Sequence, residues 1–317
     1  MNVHPKTGLH YIITFRVGPA YRDAIRLYTK MAEKYEWIDC IPETELVERM
    51  DEIAQDERNF VVMWGVWAPR PPVDRKAVFT RVFSEALNED TSTMLKPHQN
   101  WLNTAQRGLR HLDAAFGHTP WMADQLGRHA GGHGDRGSGQ YGFVLPMGWD
   151  PEVFGSPKWD AQKQYGMTYA GVLAGKRSWL APMMAEALGD CFFNATGCWG
   201  NRIIEVLNQS RANLYLSHSD IHSFSTFRIW QTVSSSAAMI AESGRDCWPM
   251  TDEMYFGVPT LTRENVEEVC LGLMDITDDQ FLSKSRVLHE GLAQYTIEHI
   301  VDGFLIPASI RIKEKQS

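Results

Sequence analysis

Short apolar runs alternate with helix-length amphipathic stretches along this chain, and the alternation happens twice. The first series holds LHYIITFRVG (9–18), WIDCI (37–41), NFVVMWGVW (59–67), AVFTRVF (77–83) and LDAAFG (112–117). Between them lie helical patterns: about 19–35, with Ile25, Tyr28, Ala32 and Tyr35 on one face; ETELVERMDEIAQD (43–56), with acidic residues in its first turn; about 97–111; and TPWMADQLGRH (119–129). Apolar runs without polar alternation are what strands buried on both faces require, and helices of ten or more residues between them give parallel crossovers. From Tyr165 the pattern restarts: YGMTYAG, then RSWLAPMMAEALG, DCFFNAT, GNRIIEVLNQS, ANLYLS, a helix opening at Phe227, AMIA (238–241), RENVEEVCLGLMD, mostly helix over 278–303 and a short tail of mixed charge. The expectation is an α/β chain of two Rossmann-like domains facing across a cleft, with a boundary between about 148 and 165, giving domains 1–155 and 156–317.

With 44% hydrophobic and 22% charged residues in 317, there is ample material for two cores. No apolar run approaches the roughly 18–20 residues that span a membrane. MNVHPKTGLHYIITF carries no long apolar segment of the secretory kind. The five cysteines are odd in number and scattered, with no C-x-x-C pair, which argues against a disulfide framework or zinc ribbon and points to a reduced, cytoplasmic setting. A net charge of −8 argues against a general nucleic-acid or lipid coat.

In parallel sheets ligands bind outside the carboxyl ends of the strands, so the loops leaving strands are the informative ones. Two stand out. GVLAGKR (171–177) joins a strand to a helix: Gly171 permits close approach of a ligand, and Lys176 and Arg177 bring charge to a helix N-terminus. It is not a P-loop, and its bland reading is a tight turn with solvated basic residues. SHSDIHSFST (217–226) feeds the helix at Phe227, with Ser225 or Thr226 as N-cap and Arg228 in the first turn. Hydroxyls, amides and an arginine together make a diphosphate receptor; the bland reading is a capped helix whose arginine meets a carboxylate.

The stretch LNQSRANLYLSHSDIHSFSTFRIWQTVSSSAAMIAES resembles the donor-binding region of GT-B glycosyltransferases of the group 1, spore-maturation-like branch. LPMGWDPEVF (145–154) is similar to that family's entry into its interdomain linker, TYAGVLAGKRSWL to the opening of its second domain, and ENVEEVCLGLMD to its closing region. The likeness is diffuse over the first 140 residues and good from about 145 to 300. It implies a nucleotide-sugar donor held by the second domain, an acceptor taken by the first, and a leaving diphosphate stabilised by basic side chains rather than an obligatory metal. On this resemblance Arg177 and Arg228 grip the diphosphate, Lys176 follows, and Ser225 and Thr226 add contacts. The family's ribose-holding glutamate is Gln231 here, and its following glycine is Ser236; an amide can still donate and accept hydrogen bonds but lacks the charge.

An inverting enzyme also needs a general base near the acceptor hydroxyl. Glu85, Asp90 and His98 follow the strand AVFTRVF, and His118 follows LDAAFG. Each has a surface or capping role as its bland alternative. His129 and His133 have metal-ligand spacing, but the intervening AGG argues against a helix there, and no metal site is expected. The run 129–142 reads as a glycine-rich surface loop. Trp199, in TGCWGN, is a candidate flank for a nucleotide base. No G-x-S-x-G elbow is present and no G-x-G-x-x-G follows the first strand. The acceptor is open: a glycan, a protein, a small molecule or a modified DNA base. The DNA reading draws on Arg70, Arg75, Lys76, Arg107, Arg110, Arg128 and Arg136 for a basic surface. A degenerate GT-B binding module is the non-enzymatic alternative, on the strength of Gln231.

Overall fold

In a computed structural model the chain is described for residues 1–17, 22–65, 68–83, 109, 111–131, 142–173, 175–216, 226–243 and 247–316, with backbone alone at 128–131 and 226–227. These residues fall into two compact units, residues 1–148 with 296–317, and residues 149–295.

The first unit is built on β1 (His10–Phe15), β2 (Ile38–Pro42), β3 (Asn59–Trp64), β4 (Val78–Phe83), β5 (Ala114–Gly117) and β6 (Gly142–Val144). They pair in the order β2-β1-β3-β4-β5-β6, all parallel. Every residue of β1, β3, β4 and β5 is buried, as the unbroken apolar runs require. Three helices cover the early crossovers: α1 (Arg22–Lys34), α2 (Glu43–Glu48) and α3 (Met50–Gln55). Helix α1 buries Ala24, Leu27, Tyr28 and Met31, one face at helical spacing. Leu46, Ile53 and Ala54 from α2 and α3 join Phe79, Phe83 and Ala115 in one core.

Helix α4 (Pro120–Gly131) departs from expectation, since it runs through His129 and Ala130 to Gly131, where the glycines argued against a helix. His133 lies outside the described residues. Gly142, the last residue of the glycine-rich run, is a strand residue, and a Cβ there would overlap the Ala123 carbonyl of α4. The glycine is therefore a packing necessity that lets α4 lie directly on β6.

The second unit follows α5 (Pro151–Phe154) with β7 (Tyr165–Tyr169), α6 (Arg177–Leu188), β8 (Phe192–Asn194), α7 (Asn201–Asn208), β9 (Ser210–Tyr215), α8 (Thr226–Val233), β10 (Ala238–Glu242), β11 (Phe256–Val258), α9 (Val266–Met274) and α10 (Asp278–Leu292). Its strands lie in the order β11-β10-β9-β7-β8, again all parallel. Of its strands, only the three-residue β11 was not foreseen.

Beneath α8 the unit is polar rather than oily. Asn213 Nδ2 donates to Thr232 Oγ1 at 2.7 Å, and that hydroxyl donates to the Arg228 carbonyl at 2.7 Å. Ser234 and Ser235 return hydrogen bonds to Trp230 O and Thr232 O, each 2.8 Å, and Ser236 N donates to Asn208 Oδ1 at 3.0 Å. The small-residue run VSSSAA thus ends α8, satisfies its last carbonyls and lets it lie close on the sheet.

The last segment corrects the domain expectation. Residues 296–317 cluster with the first unit instead of closing the second. After α11 (Ile297–Ile300) and a π-turn (Val301–Leu305), the supposed tail is the helix α12 (Ile306–Glu314). Ser309 on α12 exchanges a 2.6 Å hydrogen bond with the buried Tyr11 hydroxyl of β1, and Lys313 donates to Glu57 O at 2.8 Å. Local pattern reported helix to about residue 303, but neither α12 nor the sheet that buries it.

Gly142→Ala is expected to destabilise the chain by about 2 kcal/mol or more through overpacking of α4 on β6, whereas Gly155→Ala meets open space at a positive φ and costs about 1 kcal/mol. Chemical denaturation of the two variants checks the ranking.

Candidate functional site

Sheet order decides where a ligand can sit. From β7 the chain crosses to β8 on one side and returns to β9 on the other, so β7 and β9 flank a topological switch point at their carboxyl ends. Both loops singled out in the sequence leave the sheet there, one after β7 and the other between β9 and α8.

Gly171 sits at the centre of this end. A Cβ built on it would lie 2.5 Å from the Tyr169 hydroxyl and 3.1 Å from Arg228 Nη2, so only glycine admits both groups. Its carbonyl accepts from Thr196 Oγ1 at 2.9 Å, which ties the loop after β8 to the loop after β7. Arg177, the first residue of α6, bridges the switch point: its Nε donates to Leu216 O, just past β9, at 2.7 Å. Arg228, the third residue of α8, brings the second guanidinium. Its pKa falls to about 10, first through burial and then through the neighbouring positive charge of Arg177. Among the described residues no carboxylate pairs with either arginine.

Tyr169 ends β7 and is buried. Its hydroxyl donates to Val172 O at 3.1 Å. Burial raises its pKa, opposed by the two arginines, so it stays a neutral phenol.

Lys176 does not join the arginines. It is drawn to Glu242, the last residue of β10, by a 2.5 Å ion pair in which the lysine side chain is 7% exposed and the carboxylate 0%. Glu242 also accepts from Leu261 N at 2.8 Å. Lys176, expected at the diphosphate, has its charge met by this carboxylate in the structure. Gln231, one turn beyond Arg228, is buried within α8. Thr226 opens that helix, while Ser225 lies outside the described residues. Trp199 is partly exposed in the loop after β8.

On the first unit Glu85, Asp90 and His98 fall outside the described residues. His118 is placed at the carboxyl end of β5 but is fully buried, with Nδ1 at 2.9 Å from Leu145 O and its ring 5.0 Å from that of Trp64. Burial lowers its pKa to about 4. It is a neutral, inward-facing imidazole, not the surface base the sequence allowed. The basic surface proposed for DNA is reduced as well, since Arg75 pairs with Asp113 at 3.1 Å and Arg70 contacts His111. Among the described residues no group of three or more His, Cys, Asp or Glu side chains is placed to hold a metal ion, and no helix is long and apolar enough to cross a membrane.

The sequence singled out Gly171, Arg177 and Arg228, which the structure brings to one end of the sheet, and did not single out Tyr169 or Glu242. A carboxylate ending the apolar run AMIAE was the available signal for Glu242; Tyr169 looked like any strand aromatic.

Glu242→Gln keeps an acceptor for Leu261 N but strands the Lys176 charge, so it is expected to cost about 3 kcal/mol, and a Lys176→Met/Glu242→Gln double variant to recover most of it, both by urea titration. His118 binds its proton less readily folded than unfolded, so stability falls as pH drops from 6.5 towards 4, by up to about 3 kcal/mol. His118→Asn, whose amide keeps the hydrogen bond to Leu145, should flatten that part of a pH–stability profile.

No protein-family model matches the sequence, and no curated protein matches it significantly. Solved structures do. HepE (Alr3699) of Anabaena, in complex with UDP-glucose, superposes with a TM-score of 0.64 at 8% identity, covering 94% of this chain and 99% of that one. Sucrose-phosphate synthase of Thermosynechococcus elongatus gives 0.62 at 11%, over 97% and 100%. TarM of S. aureus, in a complex that includes UDP, gives 0.59 at 10%, over 81% of this chain and 56% of TarM, so the chain spans little more than half of that protein. The finer resemblance to the spore-maturation-like branch is not carried by these matches. At such identities the fold alone is shared, and that fold, two parallel-sheet α/β domains, is the one of the GT-B glycosyltransferases.

Proposed function

We propose that the chain is a nucleotide-sugar-dependent glycosyltransferase that moves a sugar onto a hydroxyl acceptor. The observation that carries this reading is the pair Arg177 and Arg228, held at the β7–β9 switch point with no carboxylate partner among the described residues. Two guanidinium groups in a partly dry setting form a receptor for a dianion, and a diphosphate offers two phosphoryl groups to such a pair. The bond between the sugar's anomeric carbon and the diphosphate oxygen breaks, and the electron pair leaves with the diphosphate. The arginines stabilise that departing charge. In this reading the diphosphate is neutralised by side chains without an obligatory metal, and Gln231 addresses the ribose through its amide.

The acceptor hydroxyl oxygen forms the new bond to the anomeric carbon, and its proton passes to a base. In an inverting reaction Glu85, Asp90 or His98 of the first domain serves as that base. The second unit takes the donor and the first the acceptor, whether glycan, protein or small molecule. Five free thiols accord with a cytoplasmic setting. Nothing in the fold or the matches favours a DNA acceptor or a degenerate binding module.

A thermal-shift screen against UDP, GDP, ADP, CDP and dTDP, with their sugar conjugates, tests the reading. A ligand at 100 times its dissociation constant adds about 2.7 kcal/mol to stability. The expected outcome is a selective shift with one nucleotide family, abolished in Arg228→Ala, with turnover of the sugar conjugate reduced about 100-fold or more in that variant. Folded protein that shifts with none of them overturns the reading.

A further inference from the structure

Arg228 reaches the ligand end of the sheet from helix α8, and that helix is tied to β9 by a short relay of buried hydrogen bonds. Asn213, in the middle of β9, donates from Nδ2 to Thr232 Oγ1 at 2.7 Å, and Thr232 Oγ1 donates to the carbonyl of Arg228 at 2.7 Å. Both side chains are buried, and the Thr232 carbonyl is held in turn by Ser235 Oγ at 2.8 Å. The direction of the relay follows from chemistry. A carbonyl only accepts, so the one hydroxyl proton of Thr232 goes to Arg228, and the hydroxyl can then take a further bond only from a donor. An asparagine amide supplies that donor; a carboxylate or an apolar side chain does not. A threonine that bonds back to the carbonyl four residues earlier bends its helix. Here that carbonyl belongs to Arg228, whose Nη2 comes within 3.1 Å of the point a Gly171 Cβ would take.

We propose that Asn213 and Thr232 are positioning residues of the donor site: their relay from β9 to the Arg228 carbonyl sets the path of the first turn of α8, and so aims the Arg228 guanidinium at the diphosphate. Strand β9 suits this role, because Leu216 O, just past its end, already holds Arg177 Nε at 2.7 Å. Both arginines are then anchored to one strand. Asn213 and Thr232 touch neither sugar nor diphosphate; they act through Arg228. A helix resting on apolar side chains would keep its fold without this directed contact, since a hydrogen-bonded relay specifies one position where apolar contacts accept several. The proposal rests on the donor-site reading above.

Two variants separate aim from stability. Thr232→Val removes the hydroxyl at nearly constant shape and leaves Asn213 Nδ2 without its acceptor, so the thermal midpoint without ligand should fall. Asn213→Leu/Thr232→Val replaces both partners by apolar groups of similar size, removes the stranded donor and should bring the midpoint back towards wild type. Isothermal titration of the full chain with UDP, GDP, ADP, CDP and dTDP would follow both beside wild type, Thr232→Ser and Arg228→Ala. The expected result is a loss of about fivefold or more in affinity for the nucleoside diphosphate that wild type binds, in the double variant as well as in Thr232→Val. Thr232→Ser, which keeps the hydroxyl, should restore binding to within about twofold of wild type. For the matching sugar nucleotide kcat/KM should fall by a similar factor in the two valine variants. A double variant that binds as wild type does while Arg228→Ala loses binding, or a Thr232→Ser that weakens as much as Thr232→Val, overturns the positioning role and leaves the donor site standing. If wild type binds none of the five, donor site and positioning role fall together.

Discussion

Two arginine side chains that repel each other are held at one end of a parallel sheet, and much of the second unit serves to keep them there. Arg177 is anchored to the backbone past β9, and Arg228 rides on a helix whose carbonyl is gripped by Thr232, itself held by Asn213 from the middle of β9. Burial and mutual repulsion both make the charged pair costly. Such a cost is tolerated where an anion removes it on binding, which is how preorganised electrostatic sites work.

The polar packing under α8 belongs to the same problem. Leucines beneath that helix would push it away from the sheet. Hydroxyls and an asparagine instead allow close approach and satisfy one another, and a satisfied polar network specifies one position where oily contacts would accept several. Lys163 extends the network below, donating to Asn208 O, Ser236 O and Ser236 Oγ at 3.1, 3.0 and 2.7 Å, with its pKa lowered by burial to about 8. The serines after α8 are therefore not filler between a helix and a strand, since they set the height of the arginine above the sheet.

Charge at the carboxyl end of this sheet is sorted rather than pooled. Three basic residues arrive there, and Glu242 takes one of them out of play. Strand order explains how: β10 lies beside β9, and β9 beside β7, so a lysine leaving β7 reaches across the end of β9 to the last residue of β10. In the proposed donor site this leaves the two planar, forked guanidinium groups for phosphoryl oxygens, with the more flexible ammonium group set aside.

Most of the fold was legible in the residue pattern, because burial on both faces of a parallel strand is a local property and writes itself as runs such as NFVVMW and AMIA. The loop after β7 followed from the same alternation, and with it Gly171 and Arg177, as did the helix that carries Arg228. Tertiary structure alone decided that, of the three basic groups, Lys176 is the one paired with a carboxylate among the described residues. The pairing of Lys176 with Glu242, the approach of Arg228 to Gly171, and the return of Ser309 to Tyr11 all join residues far apart in sequence. Periodicity reports whether a residue faces inward, but not which distant residue it faces; that depends on strand order, and strand order is settled only when the whole sheet is assembled.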